Sequence, residues 1–136
     1  MKSKKAILDT NLWISFLISK DFSFLDHFIE KDKIKLIFSE ELFSEFLSVA
    51  KRSKFKKYFT AKDIKHLALI INKYGILVNV KTDINKCRDR KDNFLLNLAV
   101  DGNADYLATG DGDLLEVKTI GKTKILTINE LIDEIK

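Results

Sequence analysis

The sequence predicts an α/β fold: a three-layer α/β/α sandwich around a central, mainly parallel sheet. Two observations carry this. Short apolar runs with strand composition alternate along the chain with longer stretches whose apolar residues recur at helical spacing. Carboxylates then recur just after the strand-like runs, where ligands bind in open parallel sheets. Strands alternating with helices bury both faces of a parallel sheet.

In chain order, Lys5 to Leu8 reads as a first strand ending in polar Asp9-Thr10-Asn11, and the apolar stretch Leu12 to Ile18 as a helix. Phe22, Leu25, Phe28 and Ile29 recur at helical spacing, and residues 34–38 have strand composition. Ser39 offers a helix N-cap ahead of the stripe Leu42, Phe43, Phe46, Leu47 and Ala50. Thr60-Ala61-Lys62-Asp63 resembles a capping signal before Ile64, Leu67, Ala68, Ile71 and Tyr74, and Gly75 ends that helix. Residues 76–80 read as a strand, 92–100 as a helix, 106–108 and 124–128 as strands, and 129–135 as a closing helix. With no repeat, linker or low-complexity tract, the reading is a single domain over 1–136.

A chain of 136 residues buries a real core without disulfides or structural metals. Apolar residues make up 46% and charged residues 32%, a soluble globular balance, and no apolar run reaches the roughly 18 residues of a membrane span. The basic start, Met1 to Lys5, is followed by an apolar stretch that Asp9 breaks at once, so no targeting segment is read. The single cysteine, Cys87, forms no internal disulfide, and a cytoplasmic location is expected. A net charge of +4 permits nucleic-acid binding without requiring it.

The acids are placed suggestively. Asp9 closes the first strand, Asp111 follows the strand ending at Ala108, Asp113 lies two further on, and Asp92 opens a helix. On the helix after the second strand, Glu45 falls about 60° from Leu42 and about 40° from Val49, at roughly 100° per residue, so it borders the core-facing stripe. Asp92 shares a helix face with Ala99, seven residues on. Carboxylates gathered at one sheet edge repel unless hard divalent cations lie between them, and Mg²⁺ binds through only one or two carboxylates with water completing its octahedron. Two such ions can activate water and stabilise a leaving oxygen in phosphodiester cleavage. Taken singly, each acid also suits a structural role: a turn or cap at Asp9, an edge-of-core acid at Glu45, a helix cap at Asp92, and a turn at Asp111-Gly112-Asp113.

Their order and the segments around them resemble the PIN-domain family. Ile7-Leu8-Asp9-Thr10-Asn11 resembles its opening motif, and Ser39 to Phe46 its second, with Glu45 at the acidic position. Asp92 to Ala99 resembles the third motif and Ala104 to Leu115 the fourth, the most specific of the set. The resemblance implies a PIN-like fold and a Mg²⁺- or Mn²⁺-dependent endoribonuclease that cleaves single-stranded RNA. Asp9, Glu45, Asp92 and Asp111 would form its acidic pocket, Asp113 would be a further ligand through water, and Asn11 and Thr109 would orient ligands or water. The chain looks most similar to relatives of VapC toxins, described as toxin components of toxin–antitoxin systems. That implies an antitoxin partner and a homodimer masking Phe16, Phe22 and Phe24. The sequence departs from many such toxins at Gly110, where they carry a polar residue. Asp89, just before Asp92, is a second acid in a competing register.

Between Lys51 and His66 the chain carries Lys51, Arg52, Lys54, Lys56, Lys57, Lys62 and Lys65 against one acid, Asp63, with Phe55, Tyr58 and Phe59 interleaved. Lys51, Arg52, Lys54, Lys56 and Lys57 suit an RNA backbone with aromatics stacking on bases, and equally a solvated helix face with its aromatics in the core. Trp13 is read as core, and His27 and His66 have no ligand-spaced partners. A haloacid-dehalogenase-like phosphatase would need a second Asp where Asn11 stands, and a receiver domain lacks its phosphoacceptor here. The remaining rival is a PIN-like module that binds RNA or a partner without catalysis.

Overall fold

The computed structural model describes residues 4–19, 21, 23, 27, 28, 33–81 and 93–135. Strand β1 (Lys4–Leu8) begins exposed and ends with Ala6, Ile7 and Leu8 buried. Helix α1 (Thr10–Ser19) follows directly and turns Trp13, Ile14 and Leu17 inward. Trp13 is core, as its composition predicts, and its indole Nε1 donates to Leu8 O at 3.1 Å. Of the helical spacing read from Phe22 to Ile29, only Phe28 lies among the described residues, and it is buried.

Strand β2 (Ile34–Phe38) leads into helix α2 (Glu40–Ala50) through the expected N-cap: the Ser39 hydroxyl accepts from Leu42 N at 3.1 Å. A short 3₁₀ turn, Ser53–Phe55, separates α2 from helix α3 (Ala61–Tyr74). The capping box at α3 forms in both directions, Asp63 N to Thr60 Oγ1 and Thr60 N to the Asp63 carboxylate. Gly75 caps α3 and is also the first residue of strand β3 (Gly75–Leu77). A Cβ there would stand 2.5 Å from Ile71 O and 3.2 Å from the Phe38 ring, so only glycine lets the helix run into the strand without a linker.

Strand β3 is shorter than the sequence suggests: pairing with β2 ends at Leu77, and Val78 N makes the last backbone bond, to Phe38 O. Helix α4 (Asn93–Asp101) and strand β4 (Tyr106–Ala108) follow. Asp111-Gly112-Asp113 is not merely a turn but the start of helix α5 (Gly112–Val117), with Asp111 as N-cap. Strand β5 (Thr119–Ile120) and strand β6 (Thr123–Leu126) form a hairpin closed by Gly121 in the left-handed region (φ +56°). Ile128, read as the end of a strand, instead begins helix α6 (Ile128–Ile135). The reason is a second capping box: Glu130 N donates to Thr127 Oγ1, and Thr127 N donates to the Glu130 carboxylate.

The strand order is β3-β2-β1-β4-β6-β5, parallel throughout except for β5. The architecture is the three-layer α/β/α sandwich the alternation predicts. Its central strands are apolar on both faces, as a sheet covered on both sides requires. From β1 the chain steps outward to β2 and β3, then returns to the other side of β1 for β4. The order therefore reverses between β1 and β4. At such a reversal the connections leave in opposite directions and open a crevice beyond the carboxyl ends of the strands. Residues 9 and 109–111 lie there.

Candidate active site

Asp9 ends β1 and is 6% exposed. Its backbone N–H donates to Ala108 O at 3.1 Å, which ties it to the end of β4. One carboxylate oxygen accepts Leu12 N at 3.0 Å, and the other accepts the Thr109 hydroxyl. Thr109 Oγ1 in turn accepts Asp111 N at 3.0 Å, so one buried hydroxyl links the first acid to the loop bearing another. Asp111 holds its own loop by accepting Asp113 N at 2.8 Å.

Helix α2 packs on α1 and brings Glu45 to the same place. A cleft of about 150 Å³ is lined by Asp9, Thr10 and Asn11 from β1–α1, by Glu45, Val49 and Arg52 from α2 and the turn after it, by Phe94 and Leu95 from α4, and by Asp111. The structure thus brings together Asp9, Glu45, Asp111 and Asn11, with Thr109 directly behind. Asp113 sits in the first turn of α5 and does not line the cleft. Asp92 and Asp89 lie outside the described residues, as do Cys87, Phe22 and Phe24. Among the basic residues, Arg52 lines the cleft, while Lys51, Lys54, Lys56 and Lys57 are exposed on the chain leaving α2. The interleaved aromatics divide between the two readings of that segment: Phe59 is buried and stacked on Phe55, whereas Tyr58 is 45% exposed beneath Lys57.

Burial dominates the electrostatics of the cleft. Burial pushes the Asp9 carboxyl above its usual range, against the opposing bonds from Thr109, Leu12 and Gly110, and the Asp111 charge adds to the rise. Burial likewise raises Glu45, with repulsion from Glu41 and Asp9 in the same direction and Thr10 and Arg52 opposing. Thr10 is a site residue the sequence reading passed over. Its hydroxyl is buried in the cleft with no partner at hydrogen-bond geometry. It lies close enough to Glu45 to favour the charged carboxylate without closing a bond to it. The Asp-Thr-Asn order was the available signal.

Among the described residues no three His, Cys, Asp or Glu side chains already stand at mutual metal-binding separation. The donor set nevertheless fits a hard divalent cation: all oxygen, with three carboxylates lining one cleft beside a buried hydroxyl in want of a partner. Asp9, Glu45 and Asp111 are the residues that would hold it. A larger groove of about 540 Å³ lies between α2, α3 and β3, lined by Phe38, Phe43, Leu69 and Leu77 among others. Its charged groups, Glu40 and Lys65, form no convergent set of acids comparable with that of the smaller cleft.

No helix among the described residues is long and apolar enough to cross a membrane. An uncharacterized protein of Methanocaldococcus jannaschii is 30% identical over 131 residues, covering 93% of this chain and 82% of that protein. No solved structure gives a significant match. A family model of the PIN domain matches residues 5–113, a span running from β1 through Asp9, Glu45 and Asp111. The chain belongs to the PIN-domain family, whose members are generally nucleases that use divalent metals.

Proposed function

We propose that the chain is a Mg²⁺- or Mn²⁺-dependent endoribonuclease that cleaves single-stranded RNA, acting in the cytoplasm as the toxin of a type II toxin–antitoxin pair. The observation that carries this is the convergence of Asp9, Glu45 and Asp111 from three separate elements on one cleft at the sheet's reversal point. Asp92, one residue before α4, completes the acid set. A homodimer and an antitoxin segment over the cleft belong to the same reading, with half-buried Phe16 as an interface residue alongside Phe22 and Phe24.

The reaction is in-line hydrolysis. A water oxygen bonds to phosphorus, the ester P–O bond breaks on the opposite side, and the departing oxygen takes a proton from solvent. Divalent ions, when bound, neutralise charge on the phosphoryl oxygens and make water a better nucleophile. Asp9 is held in one orientation by Leu12 N and the Thr109 hydroxyl, so its ligand geometry is preset. Glu45, on the α2 side of the cleft, completes the pocket and positions the attacking water or a second ion. Asp111, fixed through Thr109, closes the cleft from the β4 side.

The test is cleavage of end-labelled single-stranded RNA with Mg²⁺, with Mn²⁺ and with chelator. Cleavage restricted to the metal-containing reactions is expected. Activity that survives chelation, or RNA binding with no cleavage under any metal, overturns the enzyme and leaves the non-catalytic module.

A further inference from the structure

We infer that the guanidinium of Arg52 receives the reacting phosphate at the mouth of the acid cleft, a role separate from that of the lysines around it. The inference rests on the nuclease reading above. A phosphodiester approaching Asp9, Glu45 and Asp111 meets charge of its own sign. Among the described residues Arg52 is the one cation that lines the same cleft.

Its backbone is held on both sides. Arg52 N donates to Val49 O at 3.1 Å as α2 ends, and Arg52 O accepts Phe55 N at 3.0 Å as the 3₁₀ turn begins. The side chain remains exposed above this fixed base. It forms no ion pair with any carboxylate among the described residues; its charge reaches Glu45 only as the weakest of the influences there. Among the described residues no carboxylate takes up the five guanidinium donors, which form a planar fork that matches two phosphate oxygens at once. The ammonium groups of Lys51, Lys54, Lys56 and Lys57 lie along the chain on either side, outside the cleft lining. They suit the neighbouring phosphates of a longer strand, which need charge but no fixed geometry.

A residue that only attracts RNA and one that grips the reacting group differ in what their loss does. Arg52→Ala, Arg52→Lys and Lys54→Ala are compared with the wild type in three measurements: thermal midpoint, single-strand RNA binding in chelator, and single-turnover cleavage. The cleavage substrate carries either phosphate or one phosphorothioate diastereomer at the cut linkage. Arg52→Ala is expected to keep its midpoint, bind RNA about tenfold more weakly, and cleave roughly 10²-fold or more slowly, the scale of losing one preorganised charge partner. Arg52→Lys restores binding but under a tenth of the lost rate. With either diastereomer, sulfur replaces one of the two oxygens that Arg52 grips, so the wild type slows and the gap to Arg52→Ala narrows relative to phosphate. Lys54→Ala weakens binding with no change in the diastereomer ratio. A rate loss in Arg52→Ala no larger than its binding loss, or the same gap for both diastereomers and phosphate, overturns the inference. If the wild type cleaves nothing, the nuclease reading fails by itself. The binding arm then still decides whether Arg52 is a phosphate site, since affinity unchanged in Arg52→Ala rules that out.

Discussion

The Thr109 hydroxyl donates to the Asp9 carboxylate across the junction of β4 and β1, two residues 100 positions apart in sequence. The same oxygen accepts the Asp111 N–H, so the spacing between two acids is set by a neutral side chain that touches both.

Thr109→Val keeps the shape and removes both bonds. It takes one partner from the part-buried Asp111 N–H and leaves Asp9 held only by the Leu12 and Gly110 backbone. Metal affinity or cleavage rate is expected to fall about 10–100-fold, the usual range for losing a partner that orients a ligand. Stability is expected to fall by about 1–3 kcal/mol for the unpaired groups. Thr109→Ser retains most of both. Calorimetric metal titration and denaturant melts read the two effects separately, and an unchanged metal affinity in Thr109→Val refutes the role.

Asp92 and Asp89 compete for the fourth acidic position. Asp92→Asn preserves volume while removing a charge, so cleavage is expected to drop by orders of magnitude with the fold intact. Asp89→Asn is expected to lose little. The labelled-RNA assay on both variants decides between them: full activity in Asp92→Asn sinks the mechanism, and loss in Asp89→Asn alone moves the site by three residues.

The raised acids predict how stability depends on pH in the absence of metal. Asp9 and Glu45 take up protons in the folded protein at higher pH than in the unfolded chain, so acidification favours the fold. The gain begins as pH falls through their raised folded-state values and is complete below the ordinary 3.8 and 4.5. Asp21, Glu130 and Glu134 are lowered, held by Ser23, Thr127 and Lys124 respectively, and act oppositely. Their contribution is present at neutral pH and is lost only as pH falls through values below the ordinary ones. The thermal midpoint in chelator is therefore expected to rise from neutral toward mildly acidic pH, then fall. Glu45→Gln should flatten the rise and be the more stable protein at pH 7. A midpoint that declines steadily from pH 7 contradicts this account.

Gly75→Ala tests the joint between α3 and β3. The added Cβ meets a backbone carbonyl at 2.5 Å, which cannot move without unwinding the last turn of α3. A loss of about 1–3 kcal/mol is expected in urea melts, the range for overpacking a tight site. A neutral result would mean that the joint relaxes freely.

The sequence is most legible where local signals are strong. Strands 34–38 and 106–108 have the read boundaries because every neighbouring residue agrees with them. Caps at Ser39 and Thr60 were visible for the same reason. Thr127 and Glu130 have the residue types of a capping box, but Thr127 falls inside the run 124–128 that reads as a strand, so the box is not read. Strand β5 has only two residues and depends on a hairpin partner, so no local pattern marks it. At the site, strand-end position and motif order pointed to Asp9, Glu45 and Asp111. That Arg52 shares their cleft while Lys54 does not depends on how the turn after α2 is held, which charge patterning does not encode.

The place of β1 in the middle of the sheet also orders events in time. Synthesis is vectorial, and β1, α1, β2 and α2 leave the ribosome first. They bring Asp9 and Glu45 together early, yet the flank of β1 that pairs with β4 stays open until residues 106–108 emerge. Closing so distant a contact is slow compared with forming the local helices. A nascent or prematurely terminated chain therefore carries only half a cleft. On the proposed ribonuclease reading, the enzyme is expected to stay silent beside the very RNA that encodes it until most of its length has been translated.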